Sequence, residues 1–557
     1  MSASSKKKLR KENAAAQLTE KQRKEQAEAK KLKQMTVSFI AIMLVIALTA
    51  GTVLIVRGVN QSGVFQKNTI AAIIEGEELN SVQMNYYLND YIKNQYATWE
   101  GMYSSSTSLY LGLMGLDVNK PLDEQTYDPD TGATWGDFFL GEALKKATSD
   151  YALYAKATSE GFKLSEDVQA SLDSNSQMLE LYAMIYGYSN VNKYLQALYG
   201  YGSDLDSYNK YVEISSIASA YATQYNQGLT YDMEAIREYE ADRKLDYTSF
   251  SYALYALSQS SFLEGGTKDE NGNTTYSDAE KEAALKKAEN IANTLALSVD
   301  IAELDQAIAG LEINKDNESA ASSVYTDVFY TNISAILRDW LADEKRVENE
   351  MAVIPNEVTS TDADGKETKT VNGYYVICFQ NRNENLRPLA NVRHLLVKFE
   401  GGTTASDGSI TYSDTEKATA KAEAEKLLKE WEDGAKTEES FIELVKKYTD
   451  DEASKETGGL YEDIYPGANY VENFLNWSID PDRKVGDTAI IVSDYGYHIM
   501  FYSSDDELTY RDYMIREDMR EADTEEWYNS IVDAFKSELK DSKYLATDMV
   551  LAHLSSY

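Results

Sequence analysis

Two stretches of this chain read almost alike, EGGTKDENGNTTYSDAEK from Glu264 and EGGTTASDGSITYSDTEK from Glu400. The offset holds at 136 residues through Gly265/Gly401, Gly272/Gly408, Tyr276/Tyr412, Ser277/Ser413 and Glu280/Glu416. A chance likeness would not keep register, so the stretches mark two copies of one fold unit. Each reads as a strand, a loop holding Asn-Gly or Asp-Gly, and then a helix. Ser277-x-x-Glu280 and Ser413-x-x-Glu416 are capping boxes, in which each side chain satisfies a backbone amide left free at the helix start. NGYYVICF near Gly373 and YGYHIMF near Gly496 form matching ends. Strands mixed with helices in this order predict two α+β domains, at 246–385 and 391–505.

The 557 residues are too many for these two cores alone. Residues 36–56, TVSFIAIMLVIALTAGTVLIV, carry no charge, enough for a helix crossing about 30 Å of hydrocarbon. The preceding 34 residues hold 11 Lys/Arg against 4 Asp/Glu, which sets the N-terminus inside. The long leader and the lack of a small-residue cleavage site argue against a cleaved signal peptide. No Cys follows, which excludes lipoprotein anchoring. The expectation is a basic cytoplasmic tail at 1–34 and a transmembrane signal anchor at 35–57. The protein is then a single-pass cell-membrane protein with its bulk outside the cytoplasm. Residues 68–245 read as mainly helical, with Ser165 as a helix cap and a tyrosine stripe that belongs more naturally in a core than on a binding surface. Residues 506–557 read as a C-terminal helical segment.

The net charge of −38 combines a +7 tail with −45 over the rest, which leaves no basic patch beyond the tail, so nucleic acid is excluded as a partner. Such acidity solvates a surface; attraction of basic clients or wall cations is the functional alternative. One cysteine, Cys378, leaves no disulfide framework and no Cys metal cluster. The three histidines are His394, His498 and His553.

In the second copy, HLLVKF at 394–399 is a strand. The helix after Ser413 buries Ala420, Ala424, Leu427, Leu428 and Trp431, and TEESFIELVKKY buries Phe441, Leu444, Val445 and Tyr448. A Gly458-Gly459 turn, a short helix at ANYVENFLNW, and strands at 488–492 and 497–502 complete it. The sequences VRHLLVKF, FIELVKKYTDDEASKETGGLYEDI, ENFLNW, KVGD and YGYHIMFY, in that order, resemble the parvulin or PpiC-type peptidyl-prolyl isomerases. With the anchor and the helical, chaperone-like region, the arrangement looks like PrsA/SurA-type extracytoplasmic foldases.

The resemblance implies a site. His394 and His498 match the family's facing histidines, and Asp451 matches a position holding Cys or Asp. Leu460, Tyr470 and Phe474 match the proline-pocket wall; Ser493 and Tyr495 fall where hydroxyl-bearing residues are common. Tyr470 replaces the usual Met, and the Leu460–Phe474 segment is about two residues longer than in compact parvulins, which bears on pocket shape. Read without the resemblance, the two histidines are also compatible with a satisfied core pair, Asp451 with a cap in TDDE, and the three together with a zinc site lacking any standard ligand spacing. The 136-residue offset puts Ser258 opposite His394, and 246–385 contains no histidine, so the first copy is expected to be a silent, client-binding or spacer domain. The resemblance thus implies an isomerase and chaperone for unfolded secreted polypeptides, with no cofactor; a homodimer is an allowed arrangement. The alternatives are a holdase with an inactive parvulin fold and a structural surface protein.

Overall fold

The computed structural model of the chain describes residues 4–7, 59, 61–268, 273–317, 319–361, 366–405 and 409–556. The expected anchor at 35–57, most of the basic tail and the tips of both repeat loops lie outside these residues. Among the described residues, no helix is long and apolar enough to cross a membrane. The fold is mixed α+β and falls into two compact units, Met1–Leu229 with Asp523–Tyr557, and Thr230–Ala522.

After a short helix at Val64–Asn68, the first unit has a hairpin, β1 (Ile70–Ile74) and β2 (Glu77–Asn80), where helix was expected from residue 68. Six helices follow: α1 (Ser81–Tyr103), α2 (Thr107–Leu113), α3 (Trp135–Ser159), α4 (Glu166–Ile185), α5 (Val191–Tyr199) and α6 (Leu205–Gly228). Much of the tyrosine stripe is core. Tyr86 and Tyr87 of α1 pack against Tyr199, Tyr208 and Tyr211 mainly edge to face, a geometry aromatic quadrupoles favour. Tyr199 and Tyr211 donate their hydroxyls to Asp90, at 3.0 and 2.8 Å, which satisfies that carboxylate inside the bundle. The C-terminal segment departs from the helical expectation for 506–557. Its helix ends at Val532, and Ser537–Leu539 pairs antiparallel with β1, Ala72 opposite Leu539.

The second unit starts with α7 (Met233–Glu240) and contains two domains of one topology. The first has β3 (Ser249–Ser258), α8 (Asp278–Leu295), α9 (Ile301–Ala309), β4 (Ser323–Phe329), α10 (Ala335–Ala342), β5 (Met351–Thr361) and β6 (Glu367–Asn383). The second has β7 (Pro388–Lys398), α11 (Asp414–Glu432), α12 (Glu438–Tyr448), β8 (Leu460–Ile464), α13 (Glu472–Ser478), β9 (Thr488–Val492) and β10 (Gly496–Thr509); α14 (Tyr510–Val532) follows. The sheets run β4-β3-β6-β5 and β8-β7-β10-β9, antiparallel throughout. The edge strand β8 was not anticipated in the order of elements.

The repeated sequence has a physical reason. Besides closing each capping box, Glu280 accepts the amide of Gly266 at 3.0 Å, and Glu416 accepts that of Gly402 at 2.9 Å. One carboxylate therefore ties the helix start to the loop in each copy.

The strands do not follow the 136-residue offset. Ser258 lies opposite Gly373, as Lys398 lies opposite Gly496. Leu254 lies opposite Ile377, as His394 lies opposite Met500. Leu254, not Ser258, is thus the counterpart of His394, and Tyr375 is the counterpart of His498. The cause is a 3-10 turn, Gln259–Phe262, inserted in the first copy between strand and loop. The offset holds only beyond it.

Candidate active site

Alternation along β7 sends Leu395 and Val397 to one face of the sheet, and Val392 and His394 to the other. Leu395 and Val397 join Ala424, Leu427, Phe441 and Val445 beneath α11 and α12. On the opposite face, Val392, Ile464, Met500 and Tyr502 meet Phe474 and Trp477 of α13. His394 and His498 share this second face, because Leu396 pairs with His498 and His394 with Met500 across the ladder. Both imidazoles are buried.

Their nitrogens are all engaged. His394 Nδ1 lies 3.0 Å from His498 Nδ1, and His394 Nε2 lies 3.0 Å from Asp451 Oδ2. Ser493 Oγ lies 2.7 Å from His498 Nε2. Asp451 also accepts the hydroxyl of Tyr461 at 3.0 Å and that of Ser454. Its hydrogen bond from His394 holds the carboxyl well below the usual carboxylate range, against the opposing effect of burial. An ionised carboxylate only accepts, so His394 donates from Nε2. With one proton on each ring, His394 Nδ1 would accept from His498 Nδ1–H, and His498 Nε2 would accept the Ser493 hydroxyl proton. Ser493 Oγ in turn accepts the amide of Tyr495 at 3.1 Å. In that arrangement the hydrogen bonds point one way from Ser493 to Asp451.

Burial first, and the neighbouring His394 second, push His498 down from 6.5 to about 4. The folded chain therefore refuses a proton that the unfolded chain accepts below pH 6.5. This contribution to stability is complete above about pH 6.5 and is lost as pH falls towards 4, with a total of about 3 kcal/mol. The expected result is a denaturation midpoint that already declines between pH 6.5 and 4. Turnover per folded molecule should stay level down to about pH 5, because His498 is still neutral there. Urea titrations and rate measurements across that range check both.

Above the imidazoles sits an aromatic group. Phe474 meets His394 edge-on at 5.4 Å between centroids, Tyr461 meets it at 5.0 Å, and Tyr470 lies 5.2 Å from Phe474. The structure thus brings together His394, His498, Asp451, Ser493, Phe474 and Tyr470. Tyr495 stands exposed beside Ser493 and joins the group through its backbone amide. Leu460 does not join it. It pairs with Arg393 on the other side of the strand, whereas Tyr461 pairs with Val392 and points to the histidines. Tyr461 and Ser454 are the members sequence reasoning missed. Had GGLYEDI been read as a strand, its alternation would have exchanged Leu460 for Tyr461.

The Gly459 turn fixes the height of His394. Gly459 has φ +74°, and a Cβ there would lie 2.1 Å from the carbonyl oxygen of His394. Gly459→Ala is expected to cost about 2 kcal/mol from the left-handed backbone and the clash together, and to reduce activity by moving β7. Thermal denaturation and an activity assay at a temperature where the variant is folded check this.

A family model described as the PPIC-type PPIASE domain matches residues 375–503. Among solved structures, the chain is similar to a PrsA peptidylprolyl isomerase from Bacillus anthracis, with 23% identity over 27% of this chain and 59% of that one, at a TM-score of 0.17. It is similar to PrsA from Bacillus subtilis, with 21% identity over 29% and 56% of the two chains, at a TM-score of 0.18. A PrsA peptidylprolyl isomerase from Bacillus cereus is matched at 16% identity over 53% of this chain and all of that one, at a TM-score of 0.18. The chain spans a little over half the length of the first two. No curated protein matches it.

Proposed function

We propose, from the premise that residues 375–503 carry a PPIC-type peptidyl-prolyl isomerase domain, that this protein is a membrane-anchored foldase. It isomerises X-Pro bonds in secreted polypeptides outside the cytoplasm and holds them while they fold. The observation that carries the catalytic part is the relay Ser493–His498–His394–Asp451 beneath Phe474, Tyr461 and Tyr470. The anchoring rests on the apolar run at 36–56 and its basic flank.

Rotation about an X-Pro bond meets a barrier of roughly 18–20 kcal/mol that arises from amide resonance. No covalent intermediate is required. A proline ring held against aromatic walls leaves its amide out of water, where the twisted, less resonant state is less penalised. Both imidazoles are committed to each other and to their flanking partners. Their work is to position Asp451, Tyr461 and Ser493 around the bound bond, rather than to exchange protons with it. His394 and His498 are in this sense positioning residues.

Acceleration of cis-to-trans conversion of a Xaa-Pro tetrapeptide, read by a coupled protease, tests the reading. Phe474→Leu is the informative variant, since Leu337 occupies the corresponding place in the first domain. Acceleration should fall on the order of 100-fold, because the ring wall is displaced. No acceleration by the unmodified ectodomain, with aggregation of an unfolded client still suppressed, would favour the holdase reading instead.

A further inference from the structure

The ring of Tyr470 lies 5.2 Å from Phe474 and 5.7 Å from Tyr461, yet it stands on residues 465–471, a connection without strand or helix of its own. Connections of this kind are mobile unless something ties them down. Here the tie is at the start of the connection. Tyr465 stacks on Tyr510 at 5.3 Å with 12° between the rings, and meets Tyr513 at 4.5 Å with 31°. Tyr510 and Tyr513 fall at i and i+3 on α14, so both reach the same ring from one face of the helix. Tyr510 is itself met edge-on by Phe329 of the first domain at 6.4 Å. Ile515 anchors the helix, fully buried with Ile236 and Tyr247. All three α14 residues lie beyond the matched 375–503.

A bulge brings Tyr465 to that helix. Val392 pairs with Tyr461 and Ala390 with Ile464, so β8 takes three steps where β7 takes two. The extra residue bends the strand, and Asp463 lies in the left-handed region, at φ +55°. Its amide donates to Asn391 Oδ1 at 3.0 Å. Its carboxylate lies 3.5 Å from the guanidinium of Arg516, which sits over the Tyr513 ring at 5.1 Å. From Tyr465 to Tyr470 the chain has little freedom. Pro466 fixes one φ, and Ala468 is buried. The amide of Ala468 donates to the carbonyl of Tyr465 at 3.1 Å, and that of Tyr470 to the carbonyl of Ala468 at 2.8 Å. Where Tyr465 docks therefore decides where Tyr470 stands.

We propose that Tyr465 is a positioning residue for the isomerase: docked on Tyr510 and Tyr513, it sets the place of Tyr470 and so the grip on the proline ring. The proposal rests on the isomerase reading of the site, and adds to it a requirement for α14, a helix outside the matched domain. Tyr465 acts on the wall of the pocket and not on the imidazole relay. Its loss weakens binding of the ground state and of the twisted state alike, and raises KM more than it lowers kcat. Loss of fold does the opposite, since unfolded molecules lower the apparent kcat and leave KM as it was.

Isomerisation rates of the entire chain over a range of Xaa-Pro tetrapeptide concentrations test the proposal. Tyr465→Ala should raise KM about tenfold and keep kcat within about threefold of the unmodified value. Tyr465→Phe should restore KM, because the stacked ring is kept. Tyr513→Ala should raise KM by a smaller factor, about threefold, since Tyr510 remains. In a chain already carrying Tyr470→Ala, adding Tyr465→Ala should change KM by less than about twofold, because the ring it positions is gone. Arg511→Ala, in the same helix but hydrogen-bonded to Glu240 rather than to this connection, should lower stability and leave KM unchanged. An unchanged KM in Tyr465→Ala overturns the proposal. So does a fall in kcat alone, an equal rise of KM in Arg511→Ala, or effects of Tyr465→Ala and Tyr470→Ala that multiply in the double variant. No acceleration by the unmodified chain overturns the isomerase reading along with this one, which keeps the two failures apart.

Discussion

Replacing His394 by leucine and His498 by tyrosine together is expected to reduce the isomerase activity of the entire chain on the order of 100-fold while leaving the second domain folded. The first domain supplies the reason for both parts. Its strands carry Leu254 and Tyr375 at the corresponding positions, packed with Phe250, Leu337 and Ile377 under α10. The same sheet topology accommodates that pair without an imidazole in it. Removing one histidine is the harsher change for stability. His498→Ala leaves His394 Nδ1 and the Ser493 hydroxyl without their partners, and a buried polar group left unpaired costs about 1–3 kcal/mol. Replacing both removes the two facing Nδ1 atoms at once, while Asp451 loses His394 but keeps the hydroxyls of Tyr461 and Ser454. The double variant should therefore denature at a higher urea concentration than His498→Ala, yet be the less active or equally inactive of the two. Because the first domain has no relay of its own, no residual rate should survive from it. A rate for the double variant within threefold of the unmodified chain would assign the chemistry elsewhere.

The histidine pair was legible through the family resemblance, whose motifs are local: one His in the strand HLLVKF and another after the Gly-Tyr that closes the copy. The capping boxes were legible because they are local too, since Ser-x-x-Glu encodes two reciprocal hydrogen bonds within four residues. What the sequence concealed depends on partners distant along the chain. The 136-residue register, true of the loops and helix starts, was carried back across Gln259–Phe262, a turn whose presence shows only once β3 pairs with β6. The family resemblance places Leu460 at the pocket wall. Strand alternation set by pairing with β7 turns it away and presents Tyr461. Ser537–Leu539 reads as helix by itself, and becomes a strand through pairing with β1, more than 460 residues earlier. In each case the deciding contact is one that no local pattern contains.

The largest stability effect in the second unit is expected at a residue outside both domain cores. Arg511, at the start of α14, is 2% exposed. Its guanidinium donates to Glu240 at 2.9 Å and to Thr248 Oγ1 at 3.5 Å, and lies 3.7 Å from Glu384. Its amide donates to the carbonyl of Asn385 at 2.8 Å. Those partners come from α7, the entry to β3 and the connection between the two domains. Beside it Asp512, equally buried, pairs with Arg237 at 2.6 Å, and Arg237 also reaches Glu240 at 3.0 Å. Arg511→Ala removes one cation from a group of charges already withdrawn from water, and leaves Glu240 to Arg237 alone. Breaking a buried pair from one side typically costs about 3–5 kcal/mol, because the remaining charge keeps its desolvation penalty. A loss of that size should appear as a lower urea midpoint for the Thr230–Ala522 unit. Arg511→Lys should recover only part of it, since one ammonium cannot replace the planar fork that reaches two carboxylates and a hydroxyl. Isomerisation per folded molecule should be unchanged, because none of these groups touches the imidazoles or Phe474. A change below 1 kcal/mol would mean that water enters the junction and screens it. The two domains would then be joined by little more than the chain between Asn383 and Pro388.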